Sequence, residues 1–360
     1  MALPLTILDS RSPHRRTTAA TPTTEARQPR PRRLIDSHGR TIRDLRLSIT
    51  DRCNFRCVYC MDPGVRFMPR DALLTPDQIV RLARICVGLG VEKIRITGGE
   101  PTLHPDLDAI IRGLRGLGDI DLALTTNGAR LTDADAARWK QAGLDRITIS
   151  IDATDPEKFA AITRSAATPD QVIEAARAAQ RAGLGPVKLN AVVVRGRNEN
   201  QIVPLARLAR ELGVEMRYIE FMPLDSSRAW DRGLLVPADE IVARIDASWP
   251  LRDAGRADRS ATALRYEFAD GAPGRIGVIA PVTRPFCGAC SRLRVTADGK
   301  VRPCLFSVVE HDLMPLMRAG SDDRVVEDAL IEATWAKQAG HAIAAPGFVQ
   351  PGRTMSAIGG

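Results

Sequence analysis

The middle of the chain alternates between amphipathic helical segments and short runs of aliphatic residues. Glycine ends a helical segment and an Ile-, Leu- or Val-rich run follows at 88–97, 116–126, 141–150, 181–194 and 211–221. Glycine suits the left-handed position that closes a helix, and continuous aliphatic runs are typical of parallel strands covered on both faces. With the run at 45–50 as a first strand, the pattern predicts six consecutive βα units that end near residue 222.

The starts of two helices can be read from a repeated tetrapeptide. TPDQ occurs at 75–78 and again at 168–171, and it places Thr as N-cap, Pro at the first helical position and Gln at the third. After the first copy, one helical face carries apolar residues, namely Ile79, Leu82, Ile85, Cys86 and Leu89. Cys86 is therefore expected to be a core residue rather than a ligand.

These elements predict an α/β protein built around an open, partial (β/α)6 TIM-like barrel, followed by a C-terminal α+β region. Six units are too few for the closed eight-stranded barrel. A flat doubly wound sheet is the competing architecture, but no glycine phosphate fingerprint follows the first strand. The expected organisation is a tail at 1–33, the partial barrel at 34–230 and a C-terminal domain at 231–360.

The net charge of +8 has a mainly local origin. Residues 1–33 carry seven Arg against Asp9 and Glu25, which leaves a surplus of three for the remaining chain. Their Thr-, Pro- and Arg-rich composition predicts a disordered tail; an organelle transit peptide is the alternative. No apolar run approaches the length of a membrane span, and the first residues make a poor secretory signal, so we expect a cytoplasmic, bacterial protein.

Six of the seven cysteines form two groups of three. The first thiol set is Cys53, Cys57 and Cys60, in CNFRCVYC; the second thiol set is Cys287, Cys290 and Cys304. Thiolates select zinc, copper(I) or iron–sulfur clusters. A structural zinc site takes four ligands, and neither set has a fourth cysteine or histidine nearby. A four-iron cluster held by three thiolates would keep one iron available for a small chelating ligand. A partial zinc site remains the alternative.

Residues with reactive or ligating side chains gather where the predicted strands end. They are GGEP at 98–101, TTNG at 125–128, Ser150, Asp152, Asn190 and Met222, and the first thiol set follows the first strand. The C-terminal rim of parallel strands is where barrel enzymes hold their active sites.

The first thiol set carries a resemblance. CNFRCVYC after LRLSITDR resembles the CxxxCxxC signature of the radical S-adenosylmethionine (SAM) superfamily, and GGEP resembles its glycine-rich SAM segment. The resemblance implies a 4Fe–4S cluster on Cys53, Cys57 and Cys60 that cleaves SAM to a 5′-deoxyadenosyl radical. The SAM-binding positions it implies are Tyr59, Gly99, Ser150 and Met222.

The second thiol set narrows the resemblance. FCGACSRLR, KIRITGGEP, TTNG, VKLNAVVV, FMPLD and the terminal diglycine are similar to the GTP 3′,8-cyclase family of molybdenum cofactor biosynthesis, from about residue 34 to the end. This implies a second 4Fe–4S cluster on Cys287, Cys290 and Cys304 that binds the guanine ring. The implied GTP contacts are Arg46, Arg95, Thr126, Lys188, Arg292, Leu293 and Arg294. The implied catalytic residues are the first thiol set, Arg292 and Arg294.

The reaction implied by the resemblance begins with removal of hydrogen from C3′ of GTP. The C3′ radical then attacks C8, giving (8S)-3′,8-cyclo-7,8-dihydroguanosine 5′-triphosphate. The diglycine tail is expected to enter the catalytic pocket, with Arg353 as a further candidate. Implied partners are a flavodoxin- or ferredoxin-type electron donor, a downstream cyclic pyranopterin monophosphate synthase and a second copy in a homodimer. Independently, arginine suits a triphosphate because it binds phosphate bidentately.

Two other functions compete. A peptide- or sulfatase-maturing radical SAM enzyme also has additional clusters, but usually shows more cysteines in its C-terminal extension than the three found here. A non-enzymatic zinc- or nucleic-acid-binding protein would need four-ligand sites or a basic folded face with aromatic residues, and aromatic residues make up only 4% of the chain.

Overall fold

In the computed structural model, which describes residues 32–225, 228–343 and 348–359, twelve strands form one open sheet. All but the last two residues of the predicted tail lie outside the described residues. The first six strands are β1 (Asp44–Ser48), β2 (Lys93–Thr97), β3 (Asp121–Thr126), β4 (Arg146–Ser150), β5 (Lys188–Val193) and β6 (Glu215–Glu220). They are parallel and lie side by side in chain order, which confirms the predicted partial barrel.

Helices connect these strands. They are α1 (Pro76–Gly88), α2 (Leu107–Arg115), α3 (Asp133–Gln141), α4 (Pro156–Thr163), α5 (Pro169–Arg181) and α6 (Ile202–Leu212). Both predicted capping boxes form, at Thr75 and Thr168. The predicted apolar face of α1 is buried, and Cys86 is fully enclosed in the main hydrophobic core. The helices therefore pack on the sheet as the hydrophobic pattern predicts.

The C-terminal region adds strands to both edges of the same sheet. Its elements are α7 (Ala238–Asp246), β7 (Leu251–Gly255), β8 (Leu264–Phe268), β9 (Arg275–Ile279), β10 (Arg292–Val295), β11 (Lys300–Arg302), β12 (His311–Asp312), α8 (Met314–Arg318) and α9 (Asp323–Trp335). Strand β9 is parallel to β6, and β10 is parallel to β1. The boundary predicted at residue 230 between two domains stays a prediction.

A hairpin returns Cys304 toward the other two cysteines of its set. Strands β10 and β11 pair antiparallel, with Arg294 opposite Arg302, and Gly299 adopts a φ of +75° at the turn. A smaller second core of Leu224, Phe306, Ile343 and Ile358 packs beside Cys304 and Met355. This core brings the end of the chain to the C-terminal rim of the sheet.

Within the described residues, no helix combines the length and the apolar character that a membrane span requires.

Candidate active site at the rim of the sheet

All six cysteines of the two thiol sets line one cavity of about 310 Å³. The sequence separates the sets by more than 200 residues, and the pairing of β10 with β1 brings them together. Most of the other predicted site residues line the same cavity: Arg46, Tyr59, Arg95, Gly99, Thr126, Ser150, Met222, Arg292 and Arg294. The predicted cofactor and substrate residues are therefore largely gathered at one place.

The loop that carries the first thiol set is fixed against the GGEP segment. The Gly99 amide donates to the Thr50 carbonyl at 2.7 Å, and the Glu100 amide donates to the Arg52 carbonyl at 2.7 Å. A Cβ atom at Gly99 would overlap the backbone oxygens of Asp51 and Arg52. Glycine is required here because the two backbones approach so closely.

Burial keeps the thiols of the first set protonated in the absence of a compensating cation. It raises the pKa of Cys53 to about 11 and that of Cys60 to about 12, and it raises the pKa of Cys57 well above its usual value. The nearby Glu100 and Asp152 carboxylates add to this effect. A bound metal cluster reverses such a preference, because its positive charge stabilises the thiolates.

The second thiol set lies in a more positive environment. Burial alone would raise the pKa of Cys290, but Arg292 and Lys337 hold it below the usual value. Arg292 also donates to the Cys290 sulfur at 3.4 Å. Thiolates are the metal-binding form of cysteine, so this environment favours ligation by Cys290, whereas burial raises the pKa of Cys304.

Two buried cations hold the backbone around the second thiol set. Arg40 donates to the Cys287 carbonyl at 2.8 Å and to the Ala339 carbonyl at 2.7 Å. Lys337 donates to the Arg292 carbonyl at 2.9 Å and also to the carbonyl of Pro303, the residue before Cys304. Sequence reasoning missed both residues, since neither belongs to a motif and each acts across the fold.

The two thiol sets fit iron–sulfur clusters better than single metal ions. Each set offers three thiols, and in the described part of the chain no three His, Cys, Asp or Glu side chains converge on one point as single-ion ligands. A four-iron cluster spaces its thiolates further apart than a single ion does. A closed structural zinc site takes four ligands, whereas each set supplies three thiols.

Tyr59 is held in place by Asp152, which lies two residues after the end of β4. The Tyr59 hydroxyl donates to Asp152 Oδ2 at 2.6 Å, and the Val192 amide donates to Asp152 Oδ1 at 2.8 Å. Burial raises the pKa of Asp152 to about 6. Asp152 thus fixes the orientation of the aromatic ring beside Cys60.

Arginine side chains give the cavity a strongly positive interior. Burial, followed by the charge of Arg292, lowers the pKa of Arg46 to about 10, and burial lowers that of Arg95 well below its usual value. Arg95 donates to the hydroxyls of Thr125 and Thr148 at 3.1 Å each. Clustered, partly buried guanidinium groups favour a polyanionic ligand.

Arg217 on β6 also lines this cavity, and sequence reasoning missed it. A signal was available, because residues two apart on a strand share a face. Ile219 lies two positions after Arg217 and lines the cavity as well.

Two unpartnered buried oxygens add polar character to the wall, Thr97 Oγ1 and Asn190 Oδ1. Both fit a polar ligand.

Three predicted GTP contacts either lie outside the first cavity or already have a hydrogen-bond partner in the protein. Lys188 is the first residue of β5 and lines a neighbouring cavity of about 670 Å³, where its Nζ lies 3.7 Å from Glu215. The Leu293 side chain is fully buried in the main hydrophobic core. The Thr126 hydroxyl lines the first cavity but donates to Glu100 at 2.7 Å. Their roles as GTP contacts stay predictions.

The end of the chain enters the cavity. Met355 and Ser356 line it, and Arg294 donates to the Gly359 carbonyl at 3.1 Å. Gly359 has a φ of +76°, and a Cβ atom there would lie 2.8 Å from Thr97 Oγ1. A residue without a side chain is therefore needed at this position. Gly360 lies outside the described residues.

The tail is fixed upstream by Arg353. Its guanidinium donates to both carboxylate oxygens of Asp298 at 2.8 Å, and Nε lies 3.0 Å from Glu310. Asp298 belongs to the β10–β11 turn, which also positions Cys304. The β10–β11 turn therefore helps to position both the tail and the second thiol set.

Comparisons with known proteins agree with this site. Residues 47–209 match the model of the radical SAM superfamily, and residues 214–343 match the model "Molybdenum Cofactor Synthesis C". The chain is 44% identical to GTP 3′,8-cyclase from Streptomyces coelicolor over 91% of its length and 96% of the relative's. It is 45% identical to GTP 3′,8-cyclase from Mycolicibacterium smegmatis over 91% of its length and 92% of the relative's.

Two solved structures resemble the fold. SuiB from Streptococcus suis, bound to precursor peptide SuiA, matches with a TM-score of 0.57 at 15% identity, over 79% of this chain and 66% of SuiB. The structure of anSMEcpe with bound AdoMet matches with a TM-score of 0.55 at 15% identity, over 83% of this chain and 82% of that one. At such low identity these likenesses establish the fold alone. The family models and the curated relatives go further: this chain belongs to the GTP 3′,8-cyclase family of the radical SAM superfamily.

Proposed function

We propose that this protein converts GTP to (8S)-3′,8-cyclo-7,8-dihydroguanosine 5′-triphosphate, the first step of molybdenum cofactor biosynthesis. The observation that carries the proposal is the single cavity, which is lined by both thiol sets and by several arginines. The first set suits the radical chemistry of the superfamily, and the arginines suit a nucleoside triphosphate. The names of the curated relatives support the same reaction.

Cys53, Cys57 and Cys60 would hold the 4Fe–4S cluster that serves this superfamily, with SAM beside it. When bound, the cluster and SAM supply the radical that removes hydrogen from the ribose C3′. The Gly99 amide is bonded to the Thr50 carbonyl, so the Gly99 carbonyl would be the group that accepts from the SAM amino group, and Asp152 would orient Tyr59 toward the adenine. Ser150 and Met222 complete the SAM site in this proposal.

Cys287, Cys290 and Cys304 would hold a second 4Fe–4S cluster, to which the guanine ring binds. Arg40 and Lys337 support this set through backbone carbonyls, and Arg292 adds positive charge beside Cys290. The carbonyl of Gly359 accepts from Arg294, so the tail restricts the space beside the substrate. Restricting this space excludes water and stray hydrogen donors from a radical reaction.

The triphosphate would extend into the interior of the partial barrel. Arg46, Arg95 and Arg217 line the cavity there, and Lys188 lies beyond Arg217. A guanidinium group binds phosphate through two parallel hydrogen bonds, and it keeps its charge when it is buried. In this proposal the guanine would lie at the second thiol set and the ribose between the two sets.

The proposal includes a cytoplasmic homodimer that receives electrons from a flavodoxin- or ferredoxin-type protein. A cyclic pyranopterin monophosphate synthase would consume the product. Copurification and electron-donor assays test these partners separately from the reaction.

Anaerobic reconstitution with iron and sulfide, followed by incubation with SAM, reductant and GTP, tests the reaction. We expect 5′-deoxyadenosine and one cyclised nucleotide in equal amounts, and neither product when SAM is omitted. Deuterium at C3′ of GTP should appear in 5′-deoxyadenosine. Cleavage of SAM that is indifferent to GTP, with no deuterium transfer, would contradict the proposal and favour a peptide-modifying enzyme.

A further inference from the structure

One buried carboxylate at the start of β6 has three cations around it. Glu215, the first residue of β6, is 9% exposed. Its carboxylate lies 2.5 Å from Arg217 Nε, 3.7 Å from Lys188 Nζ and 4.0 Å from Arg265 Nε. We call these four residues the Glu215 cluster.

The Glu215 cluster lies between two cavities. Arg217 lines the cavity that holds both thiol sets, whereas Glu215, Lys188 and Arg265 line the neighbouring cavity of about 670 Å³. Gly277 pairs with Arg217 across the sheet. A Cβ atom at Gly277 would lie 3.1 Å from Arg217 Cγ and 3.3 Å from Glu215 Oε1. The glycine therefore leaves room for the ion pair at the boundary between the cavities.

The Glu215 carboxylate is charged at neutral pH. Burial alone would raise its pKa, but Arg217 and Lys188 hold the pKa below the usual value. Burial lowers the pKa of Lys188 to about 8, with Arg217 contributing, while Glu215 opposes this shift. The carboxylate thus neutralises the cations that a terminal phosphate would neutralise.

We propose that Glu215 is a displaceable counter-ion, whose carboxylate holds Arg217 and Lys188 until the terminal phosphate of a nucleoside triphosphate takes its place. The inference rests on the proposed function, in which these two cations bind the triphosphate. Because the carboxylate competes for the same donors, it weakens the binding of any ligand that carries a terminal phosphate to this point. The product retains the triphosphate of GTP, so the competition also speeds product release.

The competition depends on the number of phosphates. Guanosine leaves the Glu215 cluster undisturbed, and GMP carries its charge too far from the cluster to replace the carboxylate. GTP must displace the carboxylate and leave it beside a like charge, which is unfavourable. Removing the charge of Glu215 should therefore strengthen GTP binding most and guanosine binding least. A residue that merely supported the fold would not produce this gradation.

The test measures equilibrium dissociation constants of the reconstituted protein for guanosine, GMP, GDP, GTP and inorganic tripolyphosphate. We expect Glu215→Gln to bind GTP about tenfold more tightly than the wild type, with no change for guanosine and slower GTP dissociation. Glu267→Gln is the matched control, since Glu267 lines the same cavity but pairs with Arg275 at 3.2 Å. This control should bind every ligand as the wild type does.

Glu215→Asp provides a second variant that keeps the charge but withdraws it by one methylene from Arg217. It should shift GTP binding in the same direction and by less. Equal or weaker GTP binding in both variants, or an equal gain for guanosine and GTP, overturns the inference. Wild-type protein that binds guanosine and GTP equally contradicts the proposed triphosphate site itself. If Glu215→Gln binds tripolyphosphate more tightly but the wild-type protein does not bind GTP, Glu215 is still a counter-ion that phosphate displaces. The proposal that GTP is the ligand is then wrong.

Discussion

A substitution at Arg353 tests most directly what the docked tail contributes to the active site. Its two hydrogen bonds to Asp298 are 2.8 Å long, and its side chain is 23% exposed, so the pair is only partly screened by solvent. Hydrogen bonds between charged groups contribute about 1.5–3 kcal/mol. A loss of about 2 kcal/mol in Arg353→Met weakens tail docking about thirtyfold.

The expected consequence is a tail that leaves the cavity without unfolding of the protein. Amide hydrogen exchange of residues 353–359 should accelerate about thirtyfold, and GTP cyclisation should fall while SAM cleavage persists. Arg181→Met is the control, because Arg181 forms a similar bidentate pair with Asp133 on an exposed helix surface. Unchanged exchange in the tail of Arg353→Met, or an equal effect of Arg181→Met, would refute this reasoning.

Three further changes test other parts of the site. Cys304→Ser should abolish GTP cyclisation and reduce iron from about eight to about four per chain, while reductive SAM cleavage continues; equal loss of both activities would argue against separate roles for the thiol sets. Because burial lowers the pKa of Lys188 to about 8 and phosphate binding needs its charged form, Lys188 should add no pH dependence to the dissociation constant for GTP below pH 8. Above pH 8 this constant should rise by up to about tenfold per pH unit, whereas Lys188→Arg should show no such rise; coincident profiles would exclude Lys188 from the phosphate site. Gly99→Ala should displace the loop of the first thiol set, since its methyl group overlaps the Arg52 carbonyl, and should cost about 1–3 kcal/mol of stability together with SAM binding. Normal SAM affinity in a stable Gly99→Ala protein would show that this position does not require glycine.

The local elements of the fold could be predicted because their causes lie within a few residues. The TPDQ segments predict capping boxes that form as expected. The Asp298-Gly299 dipeptide between β10 and β11 is likewise typical of a tight hairpin turn. The six central strands follow from their aliphatic runs and the glycines before them. The position of Cys86 in the core follows from helical periodicity alone.

The added strands at both sheet edges could not be predicted in the same way. Strand β10 has four residues and pairs with β1, which lies almost 250 residues earlier in the chain. No local pattern encodes such a partner. The open sheet therefore has eight parallel strands rather than the expected six.

The supporting residues of the site were missed for the same reason. Arg40 contacts Cys287 across 247 residues, and Lys337 contacts Arg292 across 45 residues. Both use backbone carbonyls, which leave no signature in a sequence. Arg217 and Glu215 could have been placed by the alternation of side chains along β6, but their importance depends on Lys188 from the neighbouring strand.

The central claim is that each thiol set holds a four-iron cluster with one iron open to a different ligand. Electron-nuclear double resonance of the reconstituted protein tests it most directly, using SAM and GTP labelled at their ligating nitrogens. We predict that SAM couples to a cluster that disappears in Cys57→Ser, and that GTP couples to a cluster that disappears in Cys304→Ser. Zinc in either site, a protein side chain on the fourth iron, or coupling of both ligands to one cluster would contradict the account.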